Sequence, residues 1–361
     1  MLSVQNISLL QFKNYENSRF VFTQNIVAIC GKNGKGKTNL LDAIYLACFS
    51  KSYFSKTDSA NVYKGLSGMR VEANFLREGE PEKIVCILRE NNKKELQRNN
   101  GEYKKFSQHI GLLPAVMIAP DDLELITGSS ETRRKFIDTL LSQSDKHYLE
   151  HLIAYNKILL QRNSFLKAAS ERGFFDDELL KIFNKQLLTP ANYLFKKRTE
   201  FLKEFLPLVI KGYYNISGIN EPVALAYYSP LQQDSFDKLL QAFQPKDLML
   251  QRTTTGIHKD DLDITLNGEP FKNMASQGQR KSLLFALKLA EFDYLGAVKG
   301  FAPLLFLDDV FEKLDSERIK NLLQQVCKQN DGQVFITDTH KDRLEAAFST
   351  LNISYQLIEL E

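Results

Sequence analysis

The sequence predicts an α/β protein whose sheet is assembled from the two ends of the chain around an inserted, mainly helical lobe. Three observations lead there. A glycine-rich loop follows a strand-like run near the N-terminus, and a strand-like run ending in two aspartates lies near the C-terminus. Between them, from about residue 121 to 210, the apolar residues recur at helical spacing.

Residues 20–22, 25–30, 71–76 and 83–88 read as strands, and Asn100-Gly101 is a hairpin-turn pair. After Pro120 the period changes. Ile137, Leu140 and Leu141, then Leu187, Ala191 and Leu194, fall on single helix faces. Strand texture returns at 223–228, with a second hairpin pair at Asn267-Gly268. A helix over about 279–297 leads to a strand at 303–307, and 334–336 is a further strand. The expected division is a head from 1–118 and 216–361, interrupted by a helical lobe at 119–215.

Length and composition set the bounds. A chain of 361 residues has room for about two domains, and 43% hydrophobic with 25% charged residues is an ordinary soluble balance. The apolar run Leu112-Leu113-Pro114-Ala115-Val116-Met117-Ile118-Ala119 is too short to cross a bilayer. The opening Met1-Leu2-Ser3-Val4-Gln5-Asn6 lacks the basic-then-apolar pattern of an export signal, so a cytoplasmic address without a membrane partner is expected. Cys30, Cys48, Cys86 and Cys327 are too dispersed for a zinc site and read as small buried residues. A net charge of +3 identifies no nucleic-acid partner, because that requires a concentrated basic face.

Gly31-Lys32-Asn33-Gly34-Lys35-Gly36-Lys37-Thr38 is a complete phosphate loop, preceded by a strand and followed by an apolar helix from Asn39. Its glycines let backbone N–H groups close around phosphate oxygens, and the helix N-terminus adds partial positive charge. Lys37 is the cation for the β- and γ-phosphates of ATP, and the Thr38 hydroxyl is a ligand for Mg²⁺. Leu304-Leu305-Phe306-Leu307-Asp308-Asp309 supplies the acidic partner at the C-terminal end of a buried strand, where ligands bind in open α/β sheets. Asp308 is assigned to Mg²⁺ and Asp309 to the attacking water. Most of the chain separates Lys37 from Asp308, which points to a split head rather than a simple P-loop kinase.

Ser276-Gln277-Gly278-Gln279-Arg280-Lys281 opens the helix carrying Leu283, Leu284 and Leu287. A serine and a glycine at a helix N-terminus form a second anion-binding end. Two phosphate cradles with one loop lysine imply that Ser276, Gly278 and Gln279 close over a nucleotide held by another copy. That is the pattern of an ABC signature, and the head is read as ABC-type.

These motifs and several others resemble the RecF family. The resemblance rests on Leu10-Gln11-Phe12-Lys13-Asn14-Tyr15, the loop with Asn39, and Leu40-Leu41-Asp42-Ala43-Ile44-Tyr45. Ala119-Pro120-Asp121-Asp122-Leu123, Arg133-Arg134-Lys135-Phe136-Ile137-Asp138, Gln161-Arg162-Asn163 and the block Thr254-Thr255-Gly256-Ile257-His258-Lys259-Asp260-Asp261-Leu262 extend it to about residue 340. It implies an ATP-dependent homodimer that binds double-stranded DNA near gapped or single-stranded junctions, hydrolyses ATP slowly, and works with RecR and RecO to direct RecA. Ile257 and Lys259 depart from the family's Pro and Arg, and the segment Phe311-Glu312-Lys313-Leu314-Asp315 resembles a D-loop. His340, in the switch-region run Thr337-Asp338-Thr339-His340, reads more readily as a helix-cap residue than as a γ-phosphate sensor.

Asp309, shorter than the glutamate of many ABC proteins, predicts slow turnover. DNA-facing candidates are Arg133-Arg134-Lys135, Lys196-Lys197-Arg198, and Lys51 and Lys56 flanking Tyr53-Phe54. Arg133 and Arg134 serve equally as braces for the Pro120-Asp121-Asp122 turn. A metabolic kinase, the enzyme alternative, would have no signature helix; a transporter-type ATPase subunit has no reason for the insert; an SMC protein needs sustained heptads that are absent.

Overall fold

Strand β1 (Leu2–Phe12) turns through Lys13-Asn14 into β2 (Tyr15–Val21), with Phe12 opposite Tyr15. The sheet also holds β4 (Met69–Arg77), β5 (Glu80–Leu88), β6 (Lys94–Arg98) and β7 (Gly101–Glu102); it is antiparallel throughout, in the order β2-β1-β4-β5-β6-β7. A second, parallel sheet takes the order β14-β3-β13-β12-β8, from β3 (Ile26–Gly31), β8 (Ala115–Ile118), β12 (Leu304–Leu307), β13 (Val334–Asp338) and β14 (Gln356–Leu360). Every residue of β8 and β12 is buried, so both read as continuous apolar runs rather than alternating ones. The structure is a computed structural model and describes all residues except 173–174, 219–220, 310, 312–315 and 329.

Helix α1 (Lys37–Phe49) is buried at every position except Thr38 and Asn39. It packs against β1, β4 and β5 of the antiparallel sheet and against β3, β8 and β13 of the parallel one. A helix with apolar residues on nearly every side is stable only when enclosed, and the one buried carboxylate of α1, Asp42, is paired with Lys13. Leu40, Leu41, Ile44 and Leu46 therefore belong to one core with Val4, Val71, Ile84, Met117 and Phe335. The phosphate loop is anchored at the end of this enclosed helix.

Two compact units divide the chain: Met1–Asp122, Asn215–Gly218 and Leu284–Glu361 form the first, Leu123–Tyr214 and Ile219–Leu283 the second. The first also contains α7 (Ser316–Leu323) and α8 (Lys341–Thr350). The second contains α2 (Ser130–Ser144), α3 (Lys146–Arg172), most of α4 (Asp177–Ser217) and α5 (Phe236–Leu250). Its small antiparallel sheet has the order β11-β10-β9, from β9 (Val223–Tyr228), β10 (Asp261–Leu266) and β11 (Glu269–Pro270). Helix α6 (Gln277–Lys299) begins in the second unit and from Leu284 onward belongs to the first. By compactness, then, residues 219–283 group with the helical lobe, whereas the sequence reading attaches 216–361 to the head. Strand β10 packs on α2, which accounts for the grouping.

Two local differences from the sequence reading have clear causes. The loop between β6 and β7 is Asn99-Asn100, with φ of 49° and 68°, and Gly101 already lies in the strand. A two-residue hairpin loop of this kind needs positive φ at both positions, which asparagine tolerates. Strand β1 carries a register irregularity between Val4 and Asn6, so its alternation changes phase and hides the strand in the sequence. Among the described residues, no helix is long and apolar enough to cross a membrane.

Candidate nucleotide site

The phosphate loop leaves β3 at Gly31 and enters α1 at Lys37, with residues 32–35 exposed. Gly36 adopts φ of 100°, and a Cβ there would lie 2.6 Å from the Asn14 side-chain nitrogen and 2.7 Å from the Tyr15 hydroxyl oxygen. The conformation favours glycine, and any side chain there would displace Asn14 and Tyr15. The Tyr15 hydroxyl donates to the Gly36 carbonyl at 3.0 Å, and Asn39 Nδ2 donates to Asn14 Oδ1 at 2.7 Å. The β1–β2 hairpin thus braces the loop, a role the sequence reading did not give to Asn14 or Tyr15. Lys37 is buried, and its Nζ donates to the Gly31 carbonyl at 2.8 Å and, at 3.5 Å, to that of Lys32.

Asp308 follows β12 and is 3% exposed. Its carboxylate accepts from Thr38 Oγ1 at 3.0 and 2.9 Å and from Thr337 Oγ1 at 2.8 Å. Burial raises this carboxyl above its ordinary range, while the Thr337 and Thr38 hydroxyls pull it back. Asp309 sits at φ of 45°, and its N–H donates to Thr337 Oγ1 at 2.9 Å. Because β13 lies between β3 and β12, the ends of three parallel strands converge here. The hard oxygen donors of Thr38 and Asp308 fit Mg²⁺. The Lys37 ammonium, whose bonds among the described residues run to carbonyl oxygens, fits phosphate.

Ser276, Gly278 and Gln279 lie in the second unit. The Gln279 N–H donates to Ser276 Oγ at 3.2 Å and the Ser276 N–H donates to Gln279 Oε1 at 2.6 Å, a reciprocal capping box. Gln279 Nε2 also donates to Glu221, whose other oxygen accepts from Tyr213 at 2.6 Å. This turn is rigid through its own side chains, and Ser276 is exposed.

The remaining sequence candidates separate sharply. Arg133 is bidentate to Asp261 at 2.6 and 3.0 Å, and Arg134 donates to the Asp260 carbonyl at 2.6 Å. They hold the β10 entry rather than the Pro120-Asp121-Asp122 turn. Arg198 is buried against Tyr148, Asp138, Asp260 and the Ile257 carbonyl, so it faces no solvent. Lys51, Lys56, Lys135 and Lys196 stay exposed. Tyr53 is half-buried, packs on Tyr45 and donates its hydroxyl to Asp122, which makes it structural. His340 is exposed at the start of α8; its backbone N–H, not its ring, is bonded, to Asp338 at 2.7 Å. The D-loop-like stretch 312–315 lies outside the described residues.

A parallel sheet with a phosphate loop after β3 and paired carboxylates after β12 is the architecture of an ABC-type ATPase head. A family model described as RecF/RecN/SMC N terminal domain matches residues 3–358. The chain is 42% identical to the DNA replication and repair protein RecF of Flavobacterium johnsoniae, over 99% of this chain and 100% of that one. It is 40% identical to the protein so named in Phocaeicola vulgatus, over 99% and 96%. Among solved structures, the recombination mediator protein RecF-ATP in the RecFOR pathway aligns with a TM-score of 0.87 at 29% identity, covering 94% of this chain and 92% of that chain. The Smc head domain of Pyrococcus furiosus bound to the C-terminal domain of ScpA shares the fold, with a TM-score of 0.55 at 15% identity over 96% and 92%. This chain belongs to the RecF family of DNA replication and repair proteins.

Proposed function

We propose that the chain binds ATP with Mg²⁺ at the phosphate loop and acts in DNA repair as a nucleotide-switched homodimer. One observation carries the nucleotide reading: Thr38, at the start of α1, and Asp308, 270 positions later, meet within hydrogen-bond distance. The ATP-bound RecF structure of the same fold supports it. Backbone N–H groups from Gly31 to Asn39 (through Lys32, Asn33, Gly34, Lys35 and Gly36) and the α1 dipole surround the phosphates, and Lys37 neutralises their charge. Bound Mg²⁺, held by Thr38 and Asp308, supplies charge neutralisation at the phosphate oxygens. Asp309 orients a water against the terminal phosphoryl group and accepts its proton. The short Asp309 side chain makes this step slow, so ATP serves mainly as a switch.

Ser276, Gly278 and Gln279 of one copy close over the nucleotide held by Lys37 of another. Nucleotide then stabilises the dimer because it interacts better with that state. The exposed Lys51, Lys56, Lys135 and Lys196 are suited to phosphate contacts with double-stranded DNA near gaps, and RecR, RecO and RecA are the pathway partners. The setting is cytoplasmic. Light scattering of the chain alone, with ADP and with ATP tests the switch. A dimer formed only with ATP, and lost in Lys37→Ala, is expected. A monomer indifferent to ATP overturns the clamp.

A further inference from the structure

Strand β13 is apolar until Thr337, whose side chain is wholly buried beside Val334, Phe335 and Ile336. A buried hydroxyl is costly unless it is bonded, and here both bonds run to the nucleotide site. The hydroxyl donates to Asp308 Oδ1 at 2.8 Å and accepts the Asp309 N–H at 2.9 Å. Thr38 also reaches Asp308, but Thr38 is itself assigned to the cation. Thr337 therefore orients Asp308 from the strand side, independently of the loop.

Asp309 adds a second reason. Its φ of 45° is left-handed, a conformation uncommon for residues other than glycine that persists only where the surroundings enforce it. The bond from its N–H to Thr337 is such an enforcement. Without it the backbone loses that restraint, and the Asp309 carboxylate shifts with it. One hydroxyl thus fixes both members of the carboxylate pair.

We infer that Thr337 is the positioning residue of the hydrolytic step, its hydroxyl holding Asp308 by donation and the Asp309 backbone by acceptance. The inference rests on the ATP-hydrolysis reading above. It assigns a role to the first residue of the switch-region run, where attention would otherwise fall on His340.

The experiment compares the full-length chain with Thr337→Val, which keeps the shape, and Thr337→Ser, which keeps the hydroxyl. Steady-state ATP turnover is measured together with equilibrium binding of a fluorescent ATP analogue, without divalent cation and across a Mg²⁺ titration. Thr337→Val is expected to lower kcat by roughly 10–100-fold and to raise the half-saturating Mg²⁺ concentration by about tenfold, the range for partners that orient metal ligands. Cation-free nucleotide binding stays at the wild-type level, because among the described residues the Thr337 hydroxyl bonds the carboxylate pair and no residue of the phosphate loop. Thr337→Ser is expected to recover most of the turnover. Wild-type kcat and Mg²⁺ dependence in Thr337→Val would overturn the assignment, as would a Thr337→Ser chain as impaired as Thr337→Val. The serine result decides the matter even where the valine chain fails to fold. A wild-type chain with no saturable ATP binding would instead remove the nucleotide reading itself, and the assignment with it.

Discussion

The phosphate-loop site of the first unit and the core of the second bury charge in opposite ways. In the first, Lys37 bonds to carbonyl oxygens and Asp308 to two threonine hydroxyls. In the second, Arg198 lies between Asp260 and Asp138, and Arg162 meets Asp247, Asn184 and Thr253. A buried charge facing its opposite is already compensated and fixes the fold. A buried charge held by neutral dipoles is only partly compensated, and a ligand of opposite charge completes it. The contrast explains why similar runs of cations in one sequence have different uses.

A third cluster lies between these extremes. Lys288, on α6, faces Asp122 at 3.9 Å and Glu291 at 3.6 Å, so one cation serves two carboxylates in the first unit. Burial, with Asp122 adding to it and Lys288 opposing, pushes the Glu291 carboxyl up to about 7.

The largest expected effect belongs to Arg198→Met. It leaves buried Asp260 and half-buried Asp138 without their cation and costs roughly 3–5 kcal/mol of stability in urea denaturation. Lys37→Met removes a cation whose hydrogen bonds run to carbonyl oxygens rather than to a carboxylate, and costs much less. Equal losses in the two variants would break the comparison. Next comes Glu291→Gln. Glu291 keeps its proton in the folded chain to higher pH than its unfolded value of 4.5, so the folded form binds the extra proton between 4.5 and about 7. Stability must fall as pH rises through that window. The glutamine variant escapes this loss, gaining on the order of a few kcal/mol over the parent at pH 8 and nothing below pH 4, as thermal unfolding across pH would show. The smallest effect is Arg133→Ala, about 1 kcal/mol for a partly exposed pair. Exposed Lys135→Ala should leave stability unchanged while reducing the salt slope of duplex binding by about 1. Arg133→Ala changing the slope more than Lys135→Ala would reverse their assigned roles.

Much of the candidate site can be read from the sequence because its parts are local. A phosphate loop, a strand ending in two aspartates, and a Ser-x-x-Gln helix start each specify their own backbone. The bracing of Gly36 by Asn14 and Tyr15 cannot, because it depends on a hairpin folding back over the loop. Strands β8 and β14 were also hidden, the first as an undifferentiated apolar run and the second as a short, half-buried edge.

The order of the chain thus determined which chemistry is available: phosphate cradling by Gly31 to Thr38, carboxylates at Asp308 and Asp309, and a capped turn at Ser276. Tertiary structure decided which charges are spent. Arg198 finds Asp260 62 positions away, and Thr337 reaches Asp308 across neighbouring strands. Such pairings depend on strand order and helix packing, which no short stretch of sequence encodes.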